Sequence, residues 1–400
     1  MRSIYLMAAM AAMTVVGCSQ NDITEVSPDA NPVVGFSAYT GVQSRGVVID
    51  LDSLKKTGFG VLAYYTGQVD WDASFKPNFM WDQKVAYASN AWTYTPVKYW
   101  PNTPNDQVSF FAYGPTTDNN GIVPSGADVA GAKLAFTLKN SGSEDAMVDL
   151  VVADKRNQKK TDPTINFVFK HALARVSFKA KLENSLVGTT NPDGKTHVVI
   201  TGVTLLANNN IASISSNLFA SGTYDFADGS WDGVLDTSDY ELSEDKVLKP
   251  FTTLEWGTNP SKVTTTSKGI EVPQAATSVD LFKDKQFLFL IPVNGSTGID
   301  ATNQFVVKLD YDIVTEDNKL ALGYSITPST ANIVLTNGTL KQGKAYNYTF
   351  TIGLTEVKVA ATVSDDWVSD SSGDITTPNQ TPDDGGITPP DPGQLPEDDY

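Results

Sequence analysis

The clearest alternation of hydrophobic and polar residues lies near the C-terminal end of the chain. Two successive runs have a large or apolar residue at every second position, namely Tyr346, Tyr348, Phe350 and Ile352, and then Val357, Val359, Ala361 and Val363. A period of two indicates half-buried strands. The few residues between the runs, 353–355, suit a hairpin connection. The pattern therefore predicts two antiparallel strands that close a β domain.

Similar runs predict strands along most of the chain and favour an all-β fold. They lie at residues 36–40, 59–65, 91–99, 108–113, 133–138, 147–153, 198–207, 286–293, 305–313 and 320–326. Residues 305–313 have the pattern of a strand with one buried face. Residues 286–293 are apolar almost throughout, which is typical of a central strand covered on both faces.

The alternation changes phase within residues 164–182. Ile165, Phe167 and Phe169 are apolar at odd positions, whereas the apolar residues from Ala174 onwards occupy even positions. Because a slip of one residue inverts the buried face, a bulge or a crossing between sheets is expected near residues 171–173. His171 lies in this break. With no Cys, Asp or Ser partner nearby in sequence, it is interpreted as a structural residue.

The length of 400 residues allows two domains of ordinary size. A loop rich in Gly, Asn and Pro at 184–196 predicts the boundary between an N-terminal domain, 36–183, and a C-terminal domain, 184–367. Residues 368–400 contain eight acidic residues, six prolines and no Lys or Arg. Such a segment buries too little apolar surface to fold, so a disordered acidic tail is expected.

Charge and composition exclude several kinds of function. The formal net charge of −17 opposes binding to nucleic acid. One cysteine and two histidines leave little for disulfides, thiol or zinc chemistry, and no phosphate-binding loop, GxSxG or HExxH motif occurs. The acidic run at 236–245 lacks the order of an EF-hand loop, so a solvated loop is the better interpretation. The sequence therefore predicts no enzyme, no cofactor and no metal site.

The N-terminal residues have the features of a bacterial lipoprotein signal, 1–18. Arg2 precedes an apolar run, and Val15-Val16-Gly17-Cys18 matches a lipobox. The run is too short to span a bilayer permanently. Cys18 is therefore expected to be the lipidated first residue that anchors the precursor to outer-membrane lipid, and 19–35 is expected to be a flexible tether.

Several motifs together resemble one family. Gly343-Lys344 before Tyr346 and Tyr348, a Val-rich strand and Trp367 resemble the last strands of Bacteroidetes-type fimbrillins, the FimA- and Mfa-like pilus subunits and their associated surface lipoproteins. The leader, SFFAYGP at 109–115 and FVFKHALARVSFKA at 167–180 extend the similarity over most of the chain. The resemblance implies two Greek-key β-sandwich, transthyretin-like domains in tandem.

The resemblance also implies a way of assembly. In stalk subunits of that family an Arg-specific protease removes the first strand, and the vacated groove accepts a strand from the next subunit. Carried over to this sequence, Arg45 and Gly46 would be the cleavage site, and Phe36, Ala38 and Thr40 would belong to the removed strand. Tyr346, Tyr348, Phe350, Val357 and Val359 would form the closing or donating edge. A solvated loop residue is the alternative interpretation of Arg45.

The partners implied are other fimbrial subunits, in a homo- or heteropolymer, and a ligand on a host or bacterial surface. Stalk, tip and accessory roles remain open, because the acidic tail has no alternating apolar run that could be donated. A monomeric glycan-binding surface lipoprotein is the alternative function, since residues 58–115 are rich in aromatics, including Trp81 and Trp92. Aromatic clusters more often form the core and rim of a β-sandwich. A carboxylate-based glycan enzyme has no supporting motif.

Overall fold

The computed structural model describes residues 31–40, 50–117, 121–138, 148–161, 163–187, 195–206, 210–211, 214–215, 218–235, 239–242, 244, 247–256, 263–275, 277–283, 286–292, 305–317, 319–320, 322–335, 340–354 and 356–364. Cys18, Arg45, Gly46 and the tail 368–400 lie outside these ranges. The predictions made for them, including the lipid anchor and the cleavage site, therefore stay predictions.

The described residues form an almost entirely β structure, which confirms the predicted all-β class. In chain order the strands are β1 (Gly35–Thr40), β2 (Phe59–Gly67), β3 (Met80–Ala88), β4 (Ala91–Thr93), β5 (Gln107–Gly114), β6 (Ile122–Pro124), β7 (Lys133–Thr137), β8 (Val151–Gln158), β9 (Thr164–His171), β10 (Ala174–Leu182), β11 (Thr196–Leu206), β12 (Asn210–Ile211), β13 (Ile214–Ser215), β14 (Phe219–Asp225), β15 (Ser230–Leu235), β16 (Tyr240–Leu242), β17 (Thr252–Trp256), β18 (Val263–Val272), β19 (Val279–Asp280), β20 (Leu288–Leu290), β21 (Phe305–Glu316), β22 (Tyr324–Leu335), β23 (Ala345–Ile352) and β24 (Val357–Ser364).

A short helix, α1 (Leu51–Thr57), follows β1 and was not predicted. The Asp50 side chain caps its N-terminus by accepting a hydrogen bond from the Ser53 backbone N–H at 2.7 Å. Gly58, with φ of 71°, ends the helix in a conformation that favours glycine. Leu54 is fully buried, so α1 packs this side chain onto the core beneath it. A 3-10 turn, Asn184–Leu186, follows β10.

The first sheet has seven strands in the order β1-β9-β8-β5-β2-β3-β4. Its edge strand β1 runs parallel to β9, from the pair Gly35–Thr164 to the pair Thr40–Phe169. One face of this sheet encloses a compact, strongly aromatic core that includes Phe36, Phe59, Trp100, Phe110 and Phe167.

The chain crosses from one sheet to another between β9 and β10. Whereas β9 belongs to the first sheet, β10 pairs in parallel with β23 and antiparallel with β19 and β20. Ile165, Phe167 and Phe169 face the first core, and the even-numbered apolar residues of β10, such as Phe178, belong to a second core. The crossing predicted near residues 171–173 is therefore confirmed, and the change of phase is its signature in the sequence.

The remaining strands form a six-stranded sheet, β17-β18-β11-β21-β22 with β16 on β11, a four-stranded sheet, β15-β14-β7-β6, and the short pair β12-β13. Four strand pairings of the described residues cross residue 184: β7 pairs with β14, and β10 pairs with β19, β20 and β23. A division into 36–183 and 184–367, and two Greek-key sandwiches, stay predictions. The sheets themselves mix strands from both sides of that boundary.

The C-terminal hairpin is formed as predicted. β23 and β24 are antiparallel, from the pair Ala345–Ser364 to the pair Ile352–Val357. β23 also pairs with β10 on its other side, so it is an interior strand, whereas β24 is the edge of its sheet. The two strands of the hairpin consequently differ in how easily either could leave the fold.

Candidate functional site

Residues 31–40 lie in a groove of the first sheet. On one side β1 forms six parallel pairs with β9. On the other side two backbone hydrogen bonds hold the residues before β1, from Val34 N to Lys98 O at 2.9 Å and from Trp100 N to Pro32 O at 3.0 Å. Together they form an antiparallel bridge between Val33 and Tyr99. The segment thus joins two borders of the sheet, β9 and residues 98–100, and both borders belong to later parts of the chain.

The side chain of Phe36 fills an aromatic pocket in this groove. It is 6% exposed, and its ring contacts four others, with centroid distances of 6.1 Å to Phe59, 5.2 Å to Tyr94, 6.0 Å to Phe110 and 5.7 Å to Phe167. Val34 and Thr40 on the same face are also buried, and Ala38 packs against the same core. The predicted residues Phe36, Ala38 and Thr40 thus all face the core, while Tyr39 is 61% exposed on the opposite face.

A polar cluster holds the upstream end of the segment. The Asn31 amide donates to Asn102 Oδ1 at 2.5 Å, and Lys160 Nζ donates to the Asn102 carbonyl at 2.8 Å and to Asn31 Oδ1 at 3.4 Å. Tyr94 adds a hydrogen bond from its hydroxyl to the Val34 carbonyl at 2.8 Å. Burial raises the pKa of the Tyr94 hydroxyl, so it remains a neutral donor. None of these four residues was predicted for the site, because no pattern in the neighbouring sequence indicates that they come together.

The residues predicted for the donating edge fall into two classes. Tyr346, Tyr348 and Phe350 on β23 are at most 2% exposed and contribute to the second core. Val357 and Val359 on the edge strand β24 are half-buried against the same core. Removing β23 would open the middle of a sheet, whereas β24 has one hydrogen-bonded neighbour within the described residues. β24 is therefore the better candidate for a strand that leaves.

On the opposite face of β24, ion pairs of Lys358 contribute to its attachment. Lys358 Nζ lies 3.1 Å from Glu183 Oε1 and 2.8 Å from Glu356 Oε1. The hydrogen bond from Lys358 lowers the pKa of the Glu183 carboxyl, and the hydrogen bonds to Glu356 and Glu183 raise the pKa of Lys358. These groups are exposed, so the pairs are weak and sensitive to pH and salt.

Arg45 and Gly46 fall between the end of β1 at Thr40 and the start of α1 at Leu51, outside the described residues. The two arginines that the structure describes lie within strands. Arg175 on β10 is 2% exposed. The Arg156 guanidinium on β8 bonds to Asp154 at 2.9 Å and lies 5.2 Å from the centre of the Trp71 ring.

The two tryptophans proposed as a sugar platform have different environments. Trp81 is 48% exposed and donates from Nε1 to the Ser125 carbonyl at 2.8 Å. Trp92 is half-buried and packs on Phe59 and Tyr87 at angles of 60° and 65°. Only Trp81 of this pair is largely exposed, so the two rings do not form one open stacking surface.

Both histidines link neighbouring segments of the fold. His171 Nδ1 lies 3.0 Å from Asp149 Oδ2, and Asp149 is buried. His197 lies between two carboxylates, with Nδ1 3.1 Å from Glu271 and Nε2 3.1 Å from Glu316. Because Glu271 and Glu316 belong to β18 and β21, His197 on β11 connects three strands of one sheet. Among the described residues no group of three or more His, Cys, Asp or Glu could hold a metal ion.

The fold agrees with comparisons to known proteins. The chain belongs to the fimbrillin-like family, whose profile matches residues 52–367. It is accordingly a structural subunit of a fimbrium, a cell-surface appendage built from such subunits, and not an enzyme. In the described part of the chain no helix is long and apolar enough to cross a membrane.

Two relatives illustrate the family. The chain is 31% identical over 395 residues to the fimbrium subunit Fim1C of Phocaeicola vulgatus, and the match covers 92% of this chain and 98% of that protein. It also resembles the crystal structure of a fimbrial protein from Bacteroides vulgatus ATCC 8482, with 26% identity and a TM-score of 0.64 over 84% of this chain and 99% of that one. The family resemblance inferred from short motifs is therefore confirmed.

Proposed function

We propose that this fimbrial subunit joins its neighbours by β-strand exchange. Cleavage after Arg45 separates β1 from the rest of the chain, and an extended strand of another subunit takes its place in the groove. The observation that supports this is the position of residues 31–40, which fill a groove whose two borders, β9 and residues 98–100, both come from beyond the cleavage site. The groove can therefore persist when the strand has gone.

The physical basis of the exchange is strand addition to an open edge. Once β1 leaves, β9 presents unpaired backbone N–H and C=O groups beside an exposed aromatic pocket. An incoming strand pairs with the backbone groups of β9 through ladder hydrogen bonds. Every second side chain of that strand packs into the aromatic pocket. Backbone hydrogen bonding and burial of side chains both favour occupation of the groove, so an empty groove is short-lived and drives assembly.

β24 is the strand that this subunit offers in return. It is an edge strand with a run of alternating apolar residues, and it is held by its pairing with β23, by half-buried valines, by contact with β22 and by exposed ion pairs. A subunit that keeps β24 in place accepts a strand without donating one, which suits a tip or accessory position. The precursor is anchored through a lipid on Cys18 at the outer membrane before maturation, and the finished fimbrium serves adhesion to a surface ligand.

Limited digestion with an Arg-specific protease tests the proposal. The chain without its leader, 19–400, contains three arginines, and Arg156 and Arg175 lie within strands. A single cut after Arg45 is expected, after which a labelled peptide of residues 31–40 should displace the β1 fragment from the groove, as native sizing and mass analysis would show. The Arg45→Lys variant is the matched control and should stay intact and monomeric. A clean cut after which excess peptide never displaces the β1 fragment would contradict strand exchange.

A further inference from the structure

We propose that the groove selects an incoming strand with an aromatic residue at the place of Phe36, and that this strand belongs to a different subunit rather than to a second copy of this chain. The inference rests on the strand exchange proposed above and specifies its partner. It follows from the shape of the pocket that β1 fills and from the residues that this chain's own edge strand could put there.

The pocket of Phe36 has the size of an aromatic ring. Its walls are the rings of Phe59, Tyr94, Phe110 and Phe167, and three of them, Phe59, Phe110 and Phe167, are fully buried. These walls also pack on one another, with Phe59 and Phe167 at 5.8 Å between centroids. A pocket whose walls are already braced closes poorly around a smaller side chain, so a smaller occupant leaves a void.

The neighbouring positions of β1 set the rest of the requirement. Val34 is completely buried, Ala38 packs against the core, and Thr40 is 6% exposed. At Gly35 a Cβ atom would lie 3.1 Å from Thr164 Oγ1, so this outward position accepts a side chain only if Thr164 yields slightly. The groove therefore fits a strand of the pattern Val-x-aromatic-x-Ala-x-Thr.

The chain's own edge strand has Val and Ala at two places of this pattern and a valine of similar shape at the place of Thr40, but it has no aromatic residue. Aligned in the direction of β1, Val357, Val359, Ala361 and Val363 take the places of Val34, Phe36, Ala38 and Thr40. Val359 then stands where the pocket needs a ring. In the reverse direction Ala361 takes that place and leaves a larger void. A second copy would thus bind in correct alternation but with its central pocket underfilled.

Peptide displacement from the cut protein tests the inference. The soluble chain is cleaved after Arg45, and four labelled peptides compete with the bound fragment: residues 31–40, the same peptide with Phe36→Val, residues 354–363, and the latter with Val359→Phe. We expect the 31–40 peptide to bind about tenfold tighter or more than its Phe36→Val form, as removal of part of a buried ring predicts. The Val359→Phe change should strengthen the 354–363 peptide by a similar factor.

The outcomes separate this inference from the proposal on which it rests. Equal affinity of the native 31–40 and 354–363 peptides, with no gain from Val359→Phe, would overturn the aromatic requirement and favour a second copy as the donor, while strand exchange itself would stand. Failure of every peptide to enter the cut protein would overturn strand exchange and the inference with it. If Arg45 resists cleavage, a specific protease site placed within residues 41–49 gives the same cut.

Discussion

The indole Nε1 of Trp100 donates a hydrogen bond to the backbone carbonyl of Pro163 at 3.1 Å. The same carbonyl accepts a hydrogen bond from Gly35 N at 2.9 Å, and Trp100 N donates to Pro32 O. Trp100 and Pro163 stand on the two borders of the groove, so one bond joins these borders independently of β1. Trp100 is fully buried, whereas Pro163 is exposed, so the bond lies at the margin of the first core.

Trp100→Phe should weaken the protein by removing this bond and part of a buried ring. We expect the free energy of unfolding in urea to fall by about 1–3 kcal/mol, because Pro163 O loses one of its two donors and the core loses volume. Trp81→Phe is the matched control, since Trp81 is largely exposed and also donates one hydrogen bond to a carbonyl. Equal losses in both variants would show that the Trp100 bond does not join the borders in the way described.

Phe36→Ala should destabilise the intact chain strongly and the cut, fragment-free chain not at all. In the intact chain the substitution empties the pocket formed by four rings, which corresponds to about 3–5 kcal/mol in urea denaturation. Tyr39→Ala on the same strand is the control, because its ring is 61% exposed and its loss should change stability by less than about 0.5 kcal/mol. A small effect of Phe36→Ala would mean that β1 contributes little to the first core.

Lys160→Met should release the β1 fragment faster after cleavage. The change removes the hydrogen bonds from Nζ to Asn102 O and Asn31 Oδ1 while keeping an aliphatic side chain. Loss of about 1 kcal/mol from these bonds corresponds to roughly a fivefold increase in the dissociation rate of the fragment. Lys159→Met is the control, since Lys159 is exposed and adjacent. The polar cluster has no holding role if both variants release the fragment at the native rate.

The sequence predicted strands better than it predicted their partners. The alternation of hydrophobic and polar residues located β1, β23, β24 and the crossing after β9, because each of these features depends on a few adjacent side chains. The pairing of β1 with β9 joins residues 129 positions apart, such as Ser37 and Asn166, and no local pattern reports it. For the same reason Asn31 and Lys160, also 129 positions apart, could not be predicted as partners.

Two local misjudgements have physical reasons as well. Val307, Leu309 and Tyr311 are buried as the one-face pattern of 305–313 predicted, but Val306 on the opposite face is fully buried too, so that face of β21 is covered at its start and alternation alone does not report this. Helix α1 was missed because seven residues are too few to show a helical period. The only indication of the helix in the sequence was the pair Asp50 and Ser53 at its N-terminus, and such residues are equally typical of a turn.

The attachment of the edge strand β24 should depend on pH through Lys358. The pKa of Glu183 is lowered, so its contribution is present above the unfolded pKa of about 4.3 and is lost as pH falls through the folded value. The pKa of Lys358 is raised, so its contribution is present below the unfolded pKa of about 10.4 and is lost as pH rises through the folded value. β24 is therefore held most firmly between these two limits.

Amide hydrogen exchange of β24, corrected for the intrinsic effect of pH, measures this attachment. Protection in the native protein should be lower at a pH of about 3 than at about 6, because a growing fraction of Glu183 is protonated as pH falls towards its lowered pKa, and protonated Glu183 loses its pair with Lys358. Lys358→Met should give low protection at both values and remove the dependence on pH. Lys308→Met is the control, since it breaks an exposed ion pair with Asp310 on β21 and touches no group on β24. Equal protection of native β24 at both pH values would show that the Lys358–Glu183 ion pair does not hold the strand. Packing of Val357 and Val359 would then be the interaction that keeps β24 in its own subunit.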